Sequence, residues 1–130
     1  MRLLLDTHSI LWYTLVAAQL SASAQDLIMD TANEVLISPA SYWEIAIKVS
    51  IGKWILNRPY EDFIDLALNR YGFHVLPILP THTARLIGLP SSRTHNDPFD
   101  RLLIAQAIVE NIPIVSVDTQ FDSYPVNRLW

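Results

Sequence analysis

The chain has 130 residues, 51% of them hydrophobic and only three of them glycine, which indicates one globular domain over residues 1–130 and excludes a disordered protein. The absence of cysteine excludes disulfides and thiolate metal sites, so histidine and carboxylate are left as metal ligands. The formal net charge of −4 argues against nucleic-acid binding through bulk positive charge, although it does not exclude a nuclease whose acids hold a cation.

The first third of the chain alternates apolar strands with helices. Residues 3–5 are a continuous apolar run typical of a buried parallel strand, and Ser9 is a candidate cap for the helix after it. This run is too short for a signal peptide or a membrane span, so we expect a cytoplasmic protein without a membrane segment. A second helix is predicted to begin near Ser21 or Ser23, and residues 35–37 are the next predicted strand.

The rest of the chain repeats this alternation. One helix is predicted to begin at Ser38 and Pro39, where serine caps and proline suits the first turn, and another helix follows Pro59. The alternation predicts an α/β fold with a central parallel sheet of about four to five strands flanked by helices. The later predicted elements are a strand at 73–76, a helix at 81–88, a helix after Asp97, a central strand at 114–117 and an edge strand through Val126 and Leu129.

Four carboxylates recur at matching places in this pattern. Asp6 directly follows the first strand, and Asp118 directly follows the strand at 114–117. Glu44 lies in the first two turns of one helix, and Asp100 lies in the first turn of another. In an open parallel sheet, the carboxyl ends of the strands share one edge, and ligands bind there. We therefore predict that the four acids form one site.

The sequence HNDPFDRLLIAQA at residues 95–107 places its two acids, Asp97 and Asp100, at the start of a predicted helix. Asp97 is a good N-cap before a proline, and an apolar stripe pins the rest of the helix to the core. A purely structural alternative stays open, because Asp100 could be only a cap or a partner of the helix dipole. Glu44 likewise could be a surface acid paired with Lys48 one helical turn later.

Clustered carboxylates without cysteine, a phosphate-binding glycine loop or a nucleophile elbow indicate Mg²⁺ or Mn²⁺ held through oxygen and water. Phosphodiester hydrolysis is the natural use of such a site, because two ions about 4 Å apart can activate the attacking water and stabilise the leaving oxygen.

Several other side chains have either a surface or a functional interpretation. A lone histidine is usually structural, which is the interpretation for His74 and His82. Five basic residues could contact phosphate, or could equally be solvated surface charges: Lys48, Lys53, Arg58, Arg93 and Arg101. Four aromatic residues could pack in the core or anchor a partner: Trp12, Tyr42, Trp43 and Trp54.

Four blocks, LLLDTH, SPASYWEIAIKVSIGKW, HNDPFDRLLIAQA and SVDTQF, occur in the order and spacing of a known family. On these residues the chain resembles a PIN domain, and within that fold it resembles the VapC toxins of toxin–antitoxin pairs. The resemblance implies a three-layer sandwich and a Mg²⁺-dependent endoribonuclease. The implied catalytic and metal-binding acids are Asp6, Glu44, Asp100 and Asp118, with small polar groups beside the metal at Thr7 and Ser116.

The resemblance also bears on the remaining acids and on partners. It selects Asp100 over Asp97, which becomes a cap or an outer acid, and it leaves Asp122 peripheral. It implies an RNA substrate, a homodimer and a small antitoxin. The C-terminal segment of the antitoxin would lie in a groove near the acids, with a basic side chain approaching them.

Two other classes remain open at this level. The first is a different metal-dependent phosphoesterase or a DNA nuclease, and the small size of the chain, without a DNA-reading module, counts against it. The second is a non-catalytic partner-binding module whose acids only cap helices. A metal-dependent cleavage assay on RNA and DNA separates these classes from the ribonuclease.

Overall fold

The computed structural model, which describes residues 1–91 and 94–130, contains one sheet of five parallel strands. The strands are β1 (Arg2–Leu5), β2 (Glu34–Ile37), β3 (His74–Val75), β4 (Ile114–Val115) and β5 (Arg128–Leu129). Their order across the sheet is β3-β2-β1-β4-β5, and all four pairings are parallel. The predicted parallel sheet is therefore confirmed, and so is an edge strand near the C-terminus.

The prediction that residues 114–117 form the central strand is wrong in two respects. The strand there ends at Val115, because the Ser116 hydroxyl accepts a hydrogen bond from the Asp118 amide at 3.0 Å and the chain turns. The central strand is β1, which pairs with β2 on one side and β4 on the other.

In the part of the chain that the structure describes, six α-helices connect the strands, accompanied by a π-helical turn and a 3₁₀ turn. The helices are α1 (Thr7–Thr14), α2 (Ala22–Met29), α3 (Pro39–Ser50), α4 (Tyr60–Asp65), α5 (Pro80–Ile87) and α6 (Pro98–Glu110). The π turn is Leu66–Arg70 and the 3₁₀ turn is Thr119–Ser123. Among the described residues, no helix is both long enough and apolar enough to cross a bilayer.

A serine or aspartate cap was predicted for four of these helices, and three of the four follow the prediction. Ser21, Ser38 and Asp97 cap α2, α3 and α6, and each side chain accepts a backbone N–H of the first turn. The prediction that Ser9 caps the first helix is wrong. Asp6 is the cap, since its Oδ1 accepts the Ser9 N–H at 2.8 Å and lets the helix begin directly after β1.

Two apolar layers enclose the sheet. On one face, Leu3 and Leu5 pack with residues of α1, α3 and α4, such as Ile10, Ile45 and Phe63. On the other face, Leu4 packs against residues of α6 and the 3₁₀ turn. Alternate side chains of β1 thus enter opposite layers, and all three are fully buried. The predicted three-layer sandwich is confirmed, and it leaves the carboxyl ends of the strands as the edge from which the acids project.

Candidate active site

Asp6 is a buried carboxylate at the end of the central strand. Asp6 is only 4% exposed, and its Oδ1 accepts a hydrogen bond from the Ser9 amide. Burial raises the pKa of Asp6 above its ordinary value, while hydrogen bonds from Ser116 and Ser9 partly oppose the rise. Asp6 is therefore both a structural cap and an acid that a cation would help to ionise.

Asp97 and Asp100 stand at the start of α6 in different roles. Asp97 Oδ1 accepts the amides of Phe99 at 2.8 Å and Asp100 at 3.0 Å, so the cap interpretation of Asp97 is confirmed. Asp100 does not cap the helix. Burial raises the pKa of Asp100 to about 7, with the charges of Asp97 and then Asp6 adding to the rise and His95 opposing it.

Asp118 is the first residue beyond the turn that follows β4. Its Oδ1 accepts the Gln120 amide at 2.9 Å and so caps the 3₁₀ turn, while its own amide donates to Ser116. Ser116 is fully buried, and it hydrogen-bonds both Asp118 and the Asp6 carboxylate. The predicted small polar residue at this position thus links two of the acids.

Glu44 lies on α3, a helix that one hydrogen bond ties to the residue after Asp6. Thr7, next to Asp6, donates to Ser41 Oγ at 3.1 Å, and Ser41 lies one helical turn before Glu44 on the same face of α3. Glu44 forms the predicted ion pair with Lys48, at 2.5 Å. The surface interpretation of this acid is wrong, because Glu44 is only 4% exposed.

His95, the first residue of the HNDPFD stretch, is a buried residue for which no role was predicted from sequence. This buried side chain contacts Asp100 Oδ2 through Nε2 at 3.2 Å and the Tyr124 hydroxyl through Nδ1 at 3.0 Å. The position of His95 five residues before Asp100 is a signal that could have found it. Its contact with Tyr124 could not have been read from local sequence.

A cation-sized cluster of donor atoms lies at this edge. Ligand atoms of His95, Asp100 and Asp118 all lie within 4.8 Å of one another. Two carboxylates and an imidazole suit a hard or borderline divalent cation, and the raised pKa of Asp100 shows how strongly the site resists uncompensated negative charge. Within the described residues, this close group does not include Asp6 or Glu44. Their role as metal ligands stays a prediction.

Comparison with known proteins gives the family. Residues 3–127 match the PIN domain family. The chain belongs to the PIN domain family. Ribonuclease VapC22 from Mycobacterium tuberculosis is 30% identical over 129 residues, which cover 93% of this PIN domain and 90% of VapC22. Ribonuclease VapC16 from the same organism is 33% identical over 79 residues, which cover 59% of this chain and just over half, 56%, of VapC16.

Solved structures of similar fold agree with this assignment. VapBC2 from Rickettsia felis, solved with a DNA fragment from their promoter, has a TM-score of 0.71 and 18% identity, covering 99% of this PIN domain and 98% of that chain. VapC20 from Mycobacterium tuberculosis has a TM-score of 0.61 and 18% identity over 93% of both chains. The predicted resemblance to PIN domains and VapC proteins is confirmed.

The two histidines predicted to be structural lie away from the four acids that are predicted to form the site of the PIN domain. His82 is fully buried, accepts the Leu79 amide and contacts Glu110 at the far end of α6. His74 is exposed beside Glu34, at the amino ends of β2 and β3. A cavity of about 520 Å³ at those amino ends is therefore at the opposite edge of the sheet from the acids.

The basic and aromatic candidates divide between half-buried and exposed positions. Lys48 is paired with Glu44, and Arg101 donates to the Pro90 carbonyl and the Tyr124 hydroxyl, so neither is a free surface charge. Arg93 lies outside the described residues. Lys53, Arg58 and Trp43 are exposed, whereas Trp12, Tyr42 and Trp54 pack partly against the core. The Trp43 ring also meets that of Phe99, next to Asp100, at 5.3 Å.

Proposed function

We propose that this PIN domain is a Mg²⁺- or Mn²⁺-dependent endoribonuclease that acts as the toxin of a toxin–antitoxin pair. The observation that carries the proposal is the half-buried pair Asp100 and Asp118, whose ligand atoms lie within 4.8 Å of each other and of His95. The buried Asp6 lies near enough for its charge to raise the pKa of Asp100. It is supported by the kinship with ribonucleases VapC22 and VapC16.

The residues proposed to hold the cation are the four predicted acids, Asp6, Glu44, Asp100 and Asp118. A bound divalent cation would supply positive charge that offsets the charge of the phosphodiester. Backbone amides fix one oxygen of Asp6 and one of Asp118, so these carboxylates are oriented before substrate arrives. Thr7 and Ser116 maintain the spacing of the acids through their hydrogen bonds to Ser41 and to the Asp118 amide.

The decisive experiment measures cleavage of RNA and DNA by the purified chain with Mg²⁺, with Mn²⁺ and with EDTA. The variants Asp6→Asn, Glu44→Gln, Asp100→Asn and Asp118→Asn should each lower the rate on RNA by roughly 100-fold. Asp97→Asn should lower it less, because asparagine keeps the cap.

The matched control is Asp62→Asn, which changes an exposed acid in the first turn of α4 and should leave the rate unchanged. Full activity in EDTA would overturn the metal requirement. Cleavage of DNA with RNA spared would favour the DNA nuclease, and no cleavage of either would favour the binding module. The substrates should include a structured RNA, because VapC20 is described as a sarcin-ricin loop cleaving toxin.

We also propose a homodimer and a small antitoxin as partners in the cytoplasm. The similarity to VapBC2, a toxin–antitoxin complex, supports the antitoxin, and Trp43, 61% exposed, offers an aromatic anchor close to Asp100. Light scattering on the chain alone, and with the product of the adjacent gene, should give the masses of a dimer and of a larger complex. A monomer in both samples would contradict these partners.

A further inference from the structure

A chain of hydrogen bonds runs through the buried side chains behind Asp100. Arg101 Nη1 lies 3.3 Å from the Tyr124 hydroxyl, which lies 3.0 Å from His95 Nδ1, and His95 Nε2 lies 3.2 Å from Asp100 Oδ2. Together, Arg101, Tyr124, His95 and Asp100 form a hydrogen-bond relay. We propose that His95 is a positioning residue that holds the Asp100 carboxylate in one orientation, an inference that rests on the function proposed above.

The carboxylate at one end of the relay determines its direction. An ionised carboxylate has no hydrogen to give, so His95 Nε2 carries the ring proton and donates it to Asp100. In the neutral ring Nδ1 is then the acceptor, and Tyr124 gives it the phenolic hydrogen. A guanidinium has no acceptor, so Arg101 donates to the phenolic oxygen of Tyr124.

The surroundings of His95 leave its ring little freedom. The residue is 5% exposed, and the ring centroids of Phe121 and Tyr124 lie 5.6 Å and 5.5 Å from its own. At the other end of the relay, Arg101 Nη1 also donates to the Pro90 carbonyl at 2.8 Å. Because packing and hydrogen bonds fix the same ring, the direction of the N–H toward Asp100 is fixed as well.

The relay also joins the two segments that carry clustered acids. Asp100 belongs to α6, whereas Tyr124 ends the 3₁₀ turn that begins after Asp118. Rotation of the Asp100 side chain, or movement of α6 against that turn, would break the bond at His95. We therefore expect the relay to maintain the separation between Asp100 and Asp118.

The same contacts argue that His95 is not itself a ligand, although its nitrogen lies in the cation-sized cluster. Both ring nitrogens already have partners, and Nε2 points its proton, not its lone pair, at Asp100. A donor on Oδ2 leaves the other lone pairs of the carboxylate for a cation. Partners of this kind, behind a metal ligand, commonly change metal affinity by 10- to 100-fold.

The test measures Mn²⁺ binding to the whole purified chain without RNA, from the electron paramagnetic resonance signal of the free ion. His95→Ala should weaken binding roughly tenfold. His95→Gln should recover most of that loss, because its amide can still donate to Asp100. Tyr124→Phe, which removes only the hydroxyl, should weaken binding about threefold. These last two variants retain bulk, so they decide the question if His95→Ala does not fold.

The matched control is His82→Gln. His82 is also fully buried and also joins a backbone amide to an acid of α6, but that acid is Glu110 at the far end of the helix. Its substitution should leave Mn²⁺ affinity unchanged. Electron spin echo modulation of the bound ion should in addition show no coupling to a directly bound ¹⁴N.

Three outcomes would overturn the inference, and they are distinguishable. Mn²⁺ affinities of the His95 and Tyr124 variants equal to that of His82→Gln would remove the positioning role alone. A ¹⁴N coupling in the wild type, with His95→Gln as weak as His95→Ala, would make His95 a ligand. Absence of Mn²⁺ binding by the wild type would overturn the proposed metal site together with the relay.

Discussion

Replacing Asp100 by asparagine should stabilise the metal-free protein at neutral and higher pH. The change removes the charge but retains the size of the side chain and an oxygen that can accept from His95. Burial, with the charges of Asp97 and Asp6, raises the pKa of Asp100 from 3.8 to about 7. This difference corresponds to about 4 kcal/mol at 1.36 kcal/mol per pKa unit. Because the side chain is 25% exposed, solvent screening should reduce the gain to about 2–4 kcal/mol.

The sign follows from proton binding. A raised pKa means that the folded state binds the Asp100 proton more tightly than the unfolded state does. The stability from this proton is complete below pH 3.8 and is lost as the pH rises through about 7. Asp100→Asn has no such proton. Wild type and variant should therefore unfold with similar free energies at pH 4, and the variant should be the more stable at pH 8.

Thermal melts in EDTA at pH 4, 6 and 8 measure this difference. At about 3 °C per kcal/mol, the variant should melt roughly 6–12 °C above the wild type at pH 8. Mg²⁺ should then stabilise the wild type more than the variant, by about 2.7 kcal/mol at one hundred times its Kd. The reasoning is refuted if the variant melts at or below the wild type at pH 8, or if the gap does not change with pH.

Asp122→Asn is a control for which the effect on stability should have the opposite sign. Its hydrogen bonds to Arg128 hold the pKa of Asp122 below its ordinary value. The stability from this pair is present above pH 3.8 and is lost as the pH falls through the lower, folded-state pKa. Asp122→Asn should therefore melt slightly below the wild type at pH 8, with the gap closing in acid and no response to Mg²⁺.

Further changes test single contacts of the acid site. Asp97→Ala should lower the free energy of unfolding by about 1 kcal/mol through loss of the cap, whereas Asp97→Asn should not. Both should lower the pKa of Asp100 in a carboxyl NMR titration, because the charge of Asp97 contributes to its rise. Lys48→Met should lower the free energy of unfolding by about 2 kcal/mol in EDTA, since it leaves Glu44 buried without its partner. Added Mg²⁺ should reduce that loss if Glu44 binds the ion.

Local sequence predicted those parts of the fold that depend on neighbouring residues. Ser38 and Asp97 were recognised as caps because the residues that they cap lie within three positions of them. The order of the strands was harder, since residues 114–117 are, apart from Ser116, an apolar run like residues 3–5, and only pairing across the chain makes β1 central. Apolar patterning records burial, and it does not record which strand lies between two others.

In the candidate site, too, contacts between sequence neighbours were predictable and contacts between distant residues were not. Asp6 and Asp118 were found because each follows an apolar strand, and their contacts with Ser9 and Gln120 are local. His95 stands five positions before Asp100, which was a local signal, but its contact with Tyr124 was missed because the two residues lie 29 positions apart. Asp100 was predicted as an acid of the site, but its raised pKa was not. The rise depends on burial and on the proximity of Asp6, and both arise only when the chain folds.

The pairing of β1 with β4 determines when the nuclease can first become active in the cell. Leu5 pairs with Val115, and Asp6 meets Ser116, so the residues of β1 wait for a segment that is translated more than a hundred positions later. At about 5–20 residues per second, this delay is roughly ten seconds. A nascent chain should therefore be unable to cut RNA near its own ribosome until the segment through Ser116 has emerged. This order can be tested with stalled ribosomes. Nascent chains stalled before and after Val115 has left the exit tunnel should differ in Mn²⁺ binding.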